Sequence, residues 1–66
     1  MRTLSSRLEN TGRLELSSRD PDKRATVEMG TSGYRVWLIL RGRVVRDSFY
    51  EKPGTALNVA TSFLRA

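Results

Sequence analysis

The 66-residue sequence contains no cysteine and no histidine. Without cysteine it has neither a disulfide nor a thiolate-held metal, and without histidine it lacks the commonest general base and the commonest metal ligand. A serine or threonine nucleophile would have no histidine beside it to accept its proton. We therefore expect a protein that is not an enzyme and that uses no cofactor and no metal.

Two motifs that resemble catalytic or phosphate-binding chemistry are better explained as turns. Asp20 and Asp22 flank Pro21, which is a typical turn composition. Gly30 and Gly33 bracket a short polar segment, but a strand follows it. A phosphate-binding loop needs the start of a helix at that point. Neither motif changes the expectation of a non-enzyme.

Long apolar runs are also missing. The longest covers residues 36–40, whereas a membrane-spanning helix needs about 20 apolar residues. Arg2 is followed by no apolar stretch of the kind that a signal peptide carries. We expect a soluble, cytoplasmic protein that has no membrane contact.

The charge is strongly one-sided. Ten arginines and two lysines stand against seven acidic residues, which gives a net charge of +5. Arginine makes bidentate contacts with phosphate, guanine edges and carboxylates, and it stacks on aromatic planes. A GC-rich genome would also enrich arginine, because arginine codons are GC-rich. The functional interpretation is an anionic partner, with nucleic acid first and DNA favoured over RNA.

Apolar and polar residues alternate with period two from Leu14 onward, which predicts β-strands. Turn residues interrupt this alternation at residues 20–23, 30–33 and 41–42. In the last of these turns Gly42 stands where a positive φ is needed. The three turns predict four antiparallel strands joined as a meander.

The turns also predict which residues lie opposite each other, and opposed residues share a face of the sheet. The expected pairs are Leu40 with Arg43, Leu38 with Val45, Val36 with Asp47 and Tyr34 with Phe49 in the last hairpin; Met29 with Tyr34, Val27 with Val36 and Ala25 with Leu38 in the middle one; and Leu14 with Met29 and Leu16 with Val27 in the first. A slip of one residue would turn the side chains over.

The C-terminal segment has apolar residues at helical spacing, namely Ala56, Leu57, Ala60, Phe63 and Leu64. Pro53 suits a first helical turn, and Thr55 is a candidate N-cap. This helix should cover one face of the sheet. The residues expected to be buried together are Val27, Val36, Leu38, Phe49, Ala60 and Phe63.

Residues 1–12 are expected to form either a short helix, which places Leu4 and Leu8 on the core and stops at Gly12, or an arm that orders only on binding. Residues 13–66 should form a single domain. The predicted fold class is α+β, a four-stranded antiparallel β-meander with a C-terminal helix packed on one face.

The face of the sheet away from the helix is the expected binding site. Its proposed contact residues are Arg24, Arg35, Trp37, Arg41 and Arg46. On such a surface Trp37 would stack on a base while Arg35 and Arg46 hold phosphates. In one alternative, Trp37, Ile39 and Val44 form a small second core that arginine stems shield. In another, the face binds protein, because tryptophan and arginine are frequent hot-spot residues of protein interfaces.

Two functions of different class follow from this surface. The first is a small basic nucleic-acid-binding accessory protein. The alternative is an inhibitor or modulator of host machinery, of the type that phages and mobile elements encode, which binds a host protein. A homodimer through a free sheet edge is a further expectation. The edge at residues 14–19 is favoured over that at residues 44–50, where Arg46 and Asp47 protect the strand.

Residues 24–64 have the order of three strands followed by a helix. They contain YRVWL, a glycine hairpin, an aromatic strand end at Phe49-Tyr50 and an alanine-spaced helix. In this order and patterning the segment resembles the arm-type DNA-binding domains of phage integrases and the plant AP2 domain. In those families the sheet lies in the DNA major groove, so the resemblance implies DNA contact through the open sheet face. The strand expected at residues 14–19 is a departure from that pattern.

Overall fold

The computed structural model describes residues 4–66, with side chains described from Arg7 onward. Its elements in chain order are helix α1 (Leu4–Thr11), strands β1 (Arg13–Ser17), β2 (Lys23–Met29), β3 (Tyr34–Leu40) and β4 (Arg43–Tyr50), and helix α2 (Pro53–Arg65). The strands form one antiparallel sheet in the order β1-β2-β3-β4. The predicted α+β fold is confirmed, and its N-terminal segment is a helix. Arg2 and the side chain of Leu4 lie outside the described part of the chain.

Glycines in the left-handed region set two of the chain reversals. Gly12 has φ of 75° and ends α1, where its N–H donates to the oxygen of Leu8 at 2.7 Å. At the tip of the last hairpin Arg41 has φ of 54° and Gly42 has φ of 81°. Two consecutive positive φ values define the type I′ turn, whose twist matches that of the strands. The predicted turn at residues 41–42 is therefore confirmed.

Helix α2 begins earlier than its expected cap. Pro53 occupies the first turn and Lys52 is the N-cap residue, so Thr55 lies inside the helix and its prediction as the cap was wrong. Proline is already fixed at the helical φ and has no N–H to satisfy, which favours a start at that residue. The N–H of Ala56 donates to the oxygen of Lys52 at 3.2 Å.

The core lies between α2 and the sheet, and α1 packs at one side of it. Its buried residues are Leu8, Leu14, Ala25, Val27, Val36, Leu38, Ala56, Leu57 and Ala60. Ala56 and Ala60 face the sheet with only a methyl group each, which lets the helix approach closely. Phe63 is half-buried against this core, whereas Phe49 is exposed. The prediction that Phe49 is buried was wrong.

The register of the middle hairpin is the predicted one, with Val27 opposite Val36 and Ala25 opposite Leu38. The first hairpin differs by two residues. Leu14 lies opposite Val27, and Leu16 lies opposite Ala25. The connection there spans residues 18–22 and is longer than expected. A shift of two residues preserves the face of every side chain, so the leucines still point toward the core.

The last hairpin departs from the prediction at a β-bulge. Leu40 lies opposite Arg43 as expected, but the register shifts between Leu38 and Ile39. Ile39 pairs with Val44 and Leu38 pairs with Arg46, which leaves Val45 without a partner. One extra residue moves every later side chain of β4 to the other face. The predicted partners of Leu38, Val36 and Tyr34 were therefore wrong; the observed partners are Arg46, Ser48 and Tyr50.

None of the helices in residues 4–66 is long and apolar enough to cross a membrane.

Replacing Leu38 by Ala should lower the free energy of unfolding by about 2–5 kcal/mol, because the side chain is buried at the centre of the core. Urea denaturation measures the loss. The matched control is Val45→Ala, at a position that is 54% exposed, where we expect a change within about 0.5 kcal/mol. Equal effects of the two substitutions would contradict the placement of Leu38 in the core.

The bulge predicts specific cross-strand contacts in solution. Nuclear Overhauser effects between backbone protons should connect Leu38 with Arg46 and Trp37 with Asp47, because these residues are directly opposed. Contacts of Leu38 with Val45 instead would show an uninterrupted register and would return Arg46 to the face of Trp37.

Candidate binding face

The side chains that point away from α2 form a broad surface, which we call the open face. Its members, taken strand by strand, are Arg13, Glu15, Ser17, Arg24, Thr26, Glu28, Arg35, Trp37, Ile39, Val44, Asp47 and Phe49. Trp37 lies in its middle row, between Thr26 of β2 and Asp47 of β4. Thr26 is only 7% exposed, which fits its position between the side chains of Glu15 and Trp37.

Arg46 is absent from the open face, although the sequence predicted it beside Trp37. It lies opposite Leu38 on the helix side of the sheet, and its Nε donates to Ser48 Oγ at 3.1 Å. The bulge is the reason, because it exchanges the faces of the residues that follow it. Asp47 takes the position next to Trp37, so a carboxylate stands where a cation was expected.

Arg35 lies on the open face as predicted, but other groups already engage it. Its Nε lies 3.8 Å from Asp47 Oδ1. The centre of its guanidinium lies 5.9 Å from the centroid of the Trp37 ring, within the range of a cation–π contact. These two contacts hold the side chain over the middle of the face.

Arg24 and Arg41 lie toward the end of the sheet that carries the type I′ turn. Arg24 is exposed and lies opposite Ile39 on the open face. Arg41 belongs to the turn, and its Nε lies 3.8 Å from Asp22 Oδ2. Both side chains line a cavity of about 610 Å³ together with Pro21. Of the five predicted residues, Arg24, Arg35 and Trp37 lie on the open face, Arg41 lies in the turn at its end and is paired with Asp22, and Arg46 lies on the other side.

The charges of the open face cancel. Its three arginines, Arg13, Arg24 and Arg35, stand against the three carboxylates of Glu15, Glu28 and Asp47. The Arg13 guanidinium lies near two of these carboxylates: Nη2 is 3.4 Å from Glu15 Oε2, and Nη1 is 4.0 Å from Glu28 Oε2. The formal charge of this face is therefore zero, and the surplus of +5 lies elsewhere on the chain.

An apolar strip runs along β4, and the sequence interpretation missed its most prominent member. Phe49 is 50% exposed, Val44 is 57% exposed and Val45 is 54% exposed. Ile39, half-buried, lies beside Val44. The proposed second core of Trp37, Ile39 and Val44 is thus only partly closed, since Val44 remains open to solvent. Asp47 could have indicated that Phe49 is exposed. The two residues are two apart on the strand and share a face, and a carboxylate does not belong in a core.

The Phe49 ring rests on Gly33, which is buried. A Cβ atom on Gly33 would lie 2.5 Å from Phe49 Cζ and 2.6 Å from the backbone oxygen of Tyr50. Both distances are far shorter than van der Waals contact, so only glycine allows this approach. Gly33 therefore fixes where the exposed ring sits.

No family model, no curated protein and no solved structure matches this chain. The resemblance to integrase arm-type and AP2 domains accordingly rests on the order and patterning of the elements. Within residues 4–66 no group of three or more acidic side chains is arranged to hold a metal ion.

Replacing Gly33 by Ala should lower the free energy of unfolding by about 1–3 kcal/mol, because the new methyl group overlaps both a ring and a backbone oxygen. Thermal or urea unfolding measures the change. Gly30→Ala is the matched control in the same loop. Its Cβ would meet only the oxygen of Gly33, at the ordinary distance of 3.5 Å, so we expect little effect. A stable Gly33→Ala protein would show that Phe49 does not pack on this glycine.

Proposed function

We propose that this chain is a small binding protein without enzymatic activity, and that its open face contacts another protein. The observation that carries the proposal is the position of Asp47. This carboxylate lies opposite Trp37 and 3.8 Å from Arg35, at the centre of the surface that the sequence assigned to nucleic acid.

A nucleic acid would meet an unfavourable distribution of charge on the open face. Affinity for a phosphate backbone comes mainly from cations that replace condensed counterions. Here the arginines are balanced by carboxylates, and Arg35 is already held by Asp47 and by the Trp37 ring. Phosphates placed on this face would lie near Glu15, Glu28 or Asp47, and like charges across an interface repel.

A protein partner fits the same surface better. Interfaces are rich in aromatic residues and arginine, and their centres are poor in net charge. The open face offers the exposed strip of Val44 and Phe49, the half-buried ring of Trp37, and a surround of paired charges. Because Gly33 holds Phe49 in place, the ring loses little freedom when a partner covers it.

The class that we propose is a cytoplasmic modulator of a larger protein, of the kind that phages and mobile elements encode against host machinery. What supports it is the combination of a small sheet, a chain free of cysteine and an exposed apolar strip on a rigid strand. A second copy of the chain is a further partner in this proposal. The sheet has free edges at β1 and β4. The bulge disrupts β4, so the edge of β1 is the seam for a homodimer.

Nucleic-acid binding, with DNA favoured, is the second candidate, and the net charge of +5 favours it. Since the open face is neutral, such binding would use cations on the other side of the sheet. Its signature is a steep salt dependence, with a log–log slope of about −0.9 for each phosphate contact on duplex DNA.

The test is capture of a protein from host lysate, with and without nuclease treatment, by the immobilised chain at low and at high salt. The double variant Val44→Ser/Phe49→Ser should weaken capture about tenfold or more, because it removes exposed apolar contacts but no core residue. The matched control is Met29→Ser, which removes a side chain that is 40% exposed on the opposite face. It should capture normally.

Two results would contradict the proposal. Capture that disappears after nuclease treatment would identify nucleic acid as the partner. Equal capture by the double variant and by the Met29→Ser control would show that the open face is not the contact surface. Thermal unfolding of each variant checks that lost capture does not reflect an unfolded chain.

A further inference from the structure

A groove runs between β4 and α2, on the side of the sheet opposite the open face. Its lining residues are Leu38, Arg46, Asn58, Val59, Ser62 and Phe63, and its volume is about 440 Å³. The groove exists because α2 packs mainly on β2 and β3 and leaves the helix side of β4 partly uncovered. We call it the β4–α2 groove.

One cation lines this groove, and two more lie on the same side of the sheet in the neighbouring row. Lys23 and Arg43 both lie opposite Leu40, one on each side, and Arg46 lies opposite Leu38 in the next row. None of the three cations forms an ion pair with a carboxylate side chain within residues 4–66. The Lys23 ammonium lies 5.7 Å from the centroid of the Phe63 ring and also contacts the backbone oxygen of Ala66.

The distribution of charge therefore differs between the two sides of the sheet. On the open face three arginines meet three carboxylates. On the helix side Arg46 lines the groove, and Arg43 and Lys23 follow in the next row of the same face, where no carboxylate side chain lies opposite them. A concave surface of one charge sign concentrates ligands of the opposite sign. We therefore expect the electrostatic attraction for an anionic group to be stronger at this groove than on the open face.

The floor of the groove decides which anion fits. Leu38, Val59 and Phe63 make it apolar, and a phosphate backbone gains nothing from such a floor. We infer that the β4–α2 groove binds an acidic peptide segment of a protein partner, with an apolar side chain on the floor and carboxylates on Arg43 and Arg46. This inference concerns the opposite face from the proposed protein-binding surface and does not depend on it.

Arg46 is prepared for this role by its neighbour. Its Nε donates to Ser48 Oγ at 3.1 Å, which orients the guanidinium. The terminal nitrogens remain available, and a planar guanidinium binds a carboxylate through two parallel hydrogen bonds. Residues of β4 and α2 thus place an apolar floor close to the Arg46 guanidinium. A peptide with neighbouring apolar and acidic side chains matches that arrangement.

The experiment uses the full chain and a fluorescein-labelled short peptide of alternating leucine and glutamate, with binding measured by fluorescence anisotropy. Two further probes are a labelled peptide of the same charge that contains only glutamate and glycine, and a labelled single-stranded oligodeoxynucleotide. The glutamate–glycine peptide should bind about tenfold more weakly, because it places no apolar side chain on the floor.

The double variant Arg43→Gln/Arg46→Gln should raise the dissociation constant of the leucine–glutamate peptide about tenfold, since it removes the charge-assisted contacts. The matched control is Arg7→Gln/Arg19→Gln, which lowers the net charge equally at exposed positions of α1 and of the loop after β1. It should change the dissociation constant less than about twofold, as expected for screened, distant charges.

Three results would overturn the inference. If both double variants lost the same affinity for the leucine–glutamate peptide, binding would depend only on net charge. If the two peptides bound equally well, the apolar floor would have no role. Tighter binding of the oligonucleotide, lost with Arg43 and Arg46, would make the groove a nucleic-acid site. The Val44→Ser/Phe49→Ser variant should bind the leucine–glutamate peptide normally, so failure here and failure of the open-face proposal are distinguishable.

Discussion

The β-bulge at Val45 determines how β4 is placed, and the surfaces on both sides of the sheet depend on that placement. An uninterrupted ladder from the Arg41-Gly42 turn would set Asp47 opposite Val36, which is fully buried beneath α2. The β4 position opposite Val36 is half-buried on the helix side, so a carboxylate there would lose part of its hydration. The bulge at Val45 puts Ser48 opposite Val36 instead. In the same step Asp47 and Phe49 turn outward, and Arg46 turns toward the helix.

The features that could be predicted from the sequence are those with strict steric or periodic signals. Gly42 marked a turn with positive φ, and the loop from Gly30 to Gly33 marked the middle hairpin and its pairing of Val27 with Val36. The bulge was missed because it carries no glycine or proline, yet Asp47 in a core-facing series indicated it. The first hairpin was two residues off because several turn residues lie between Ser17 and Lys23. That error was harmless for the faces, whereas the one-residue error in β4 exchanged them.

The exchange of faces also separates the net charge of the chain from the charge of its aromatic surface. A charge of +5 describes the whole chain, but a ligand responds to the local arrangement. With Arg46 on the helix side and Asp47 beside Arg35, the aromatic face is neutral and the groove beneath α2 is cationic. The aromatic and the cationic characters that the sequence interpretation joined in one surface are therefore separated by the thickness of the sheet.

Trp37 lies at the centre of the sheet, and this position affects how its role can be tested. The tryptophan is half-buried, and its neighbour Thr26 is 7% exposed, so the indole contributes to the packing of the sheet itself. In a domain with so few buried residues, losing that packing would remove much of the total free energy of unfolding. A substitution of Trp37 would thus mix stability with binding. At least half of the Phe49 and Val44 surface is exposed to solvent. Substitutions at these two positions would therefore test the proposed contact of the open face with little effect on folding.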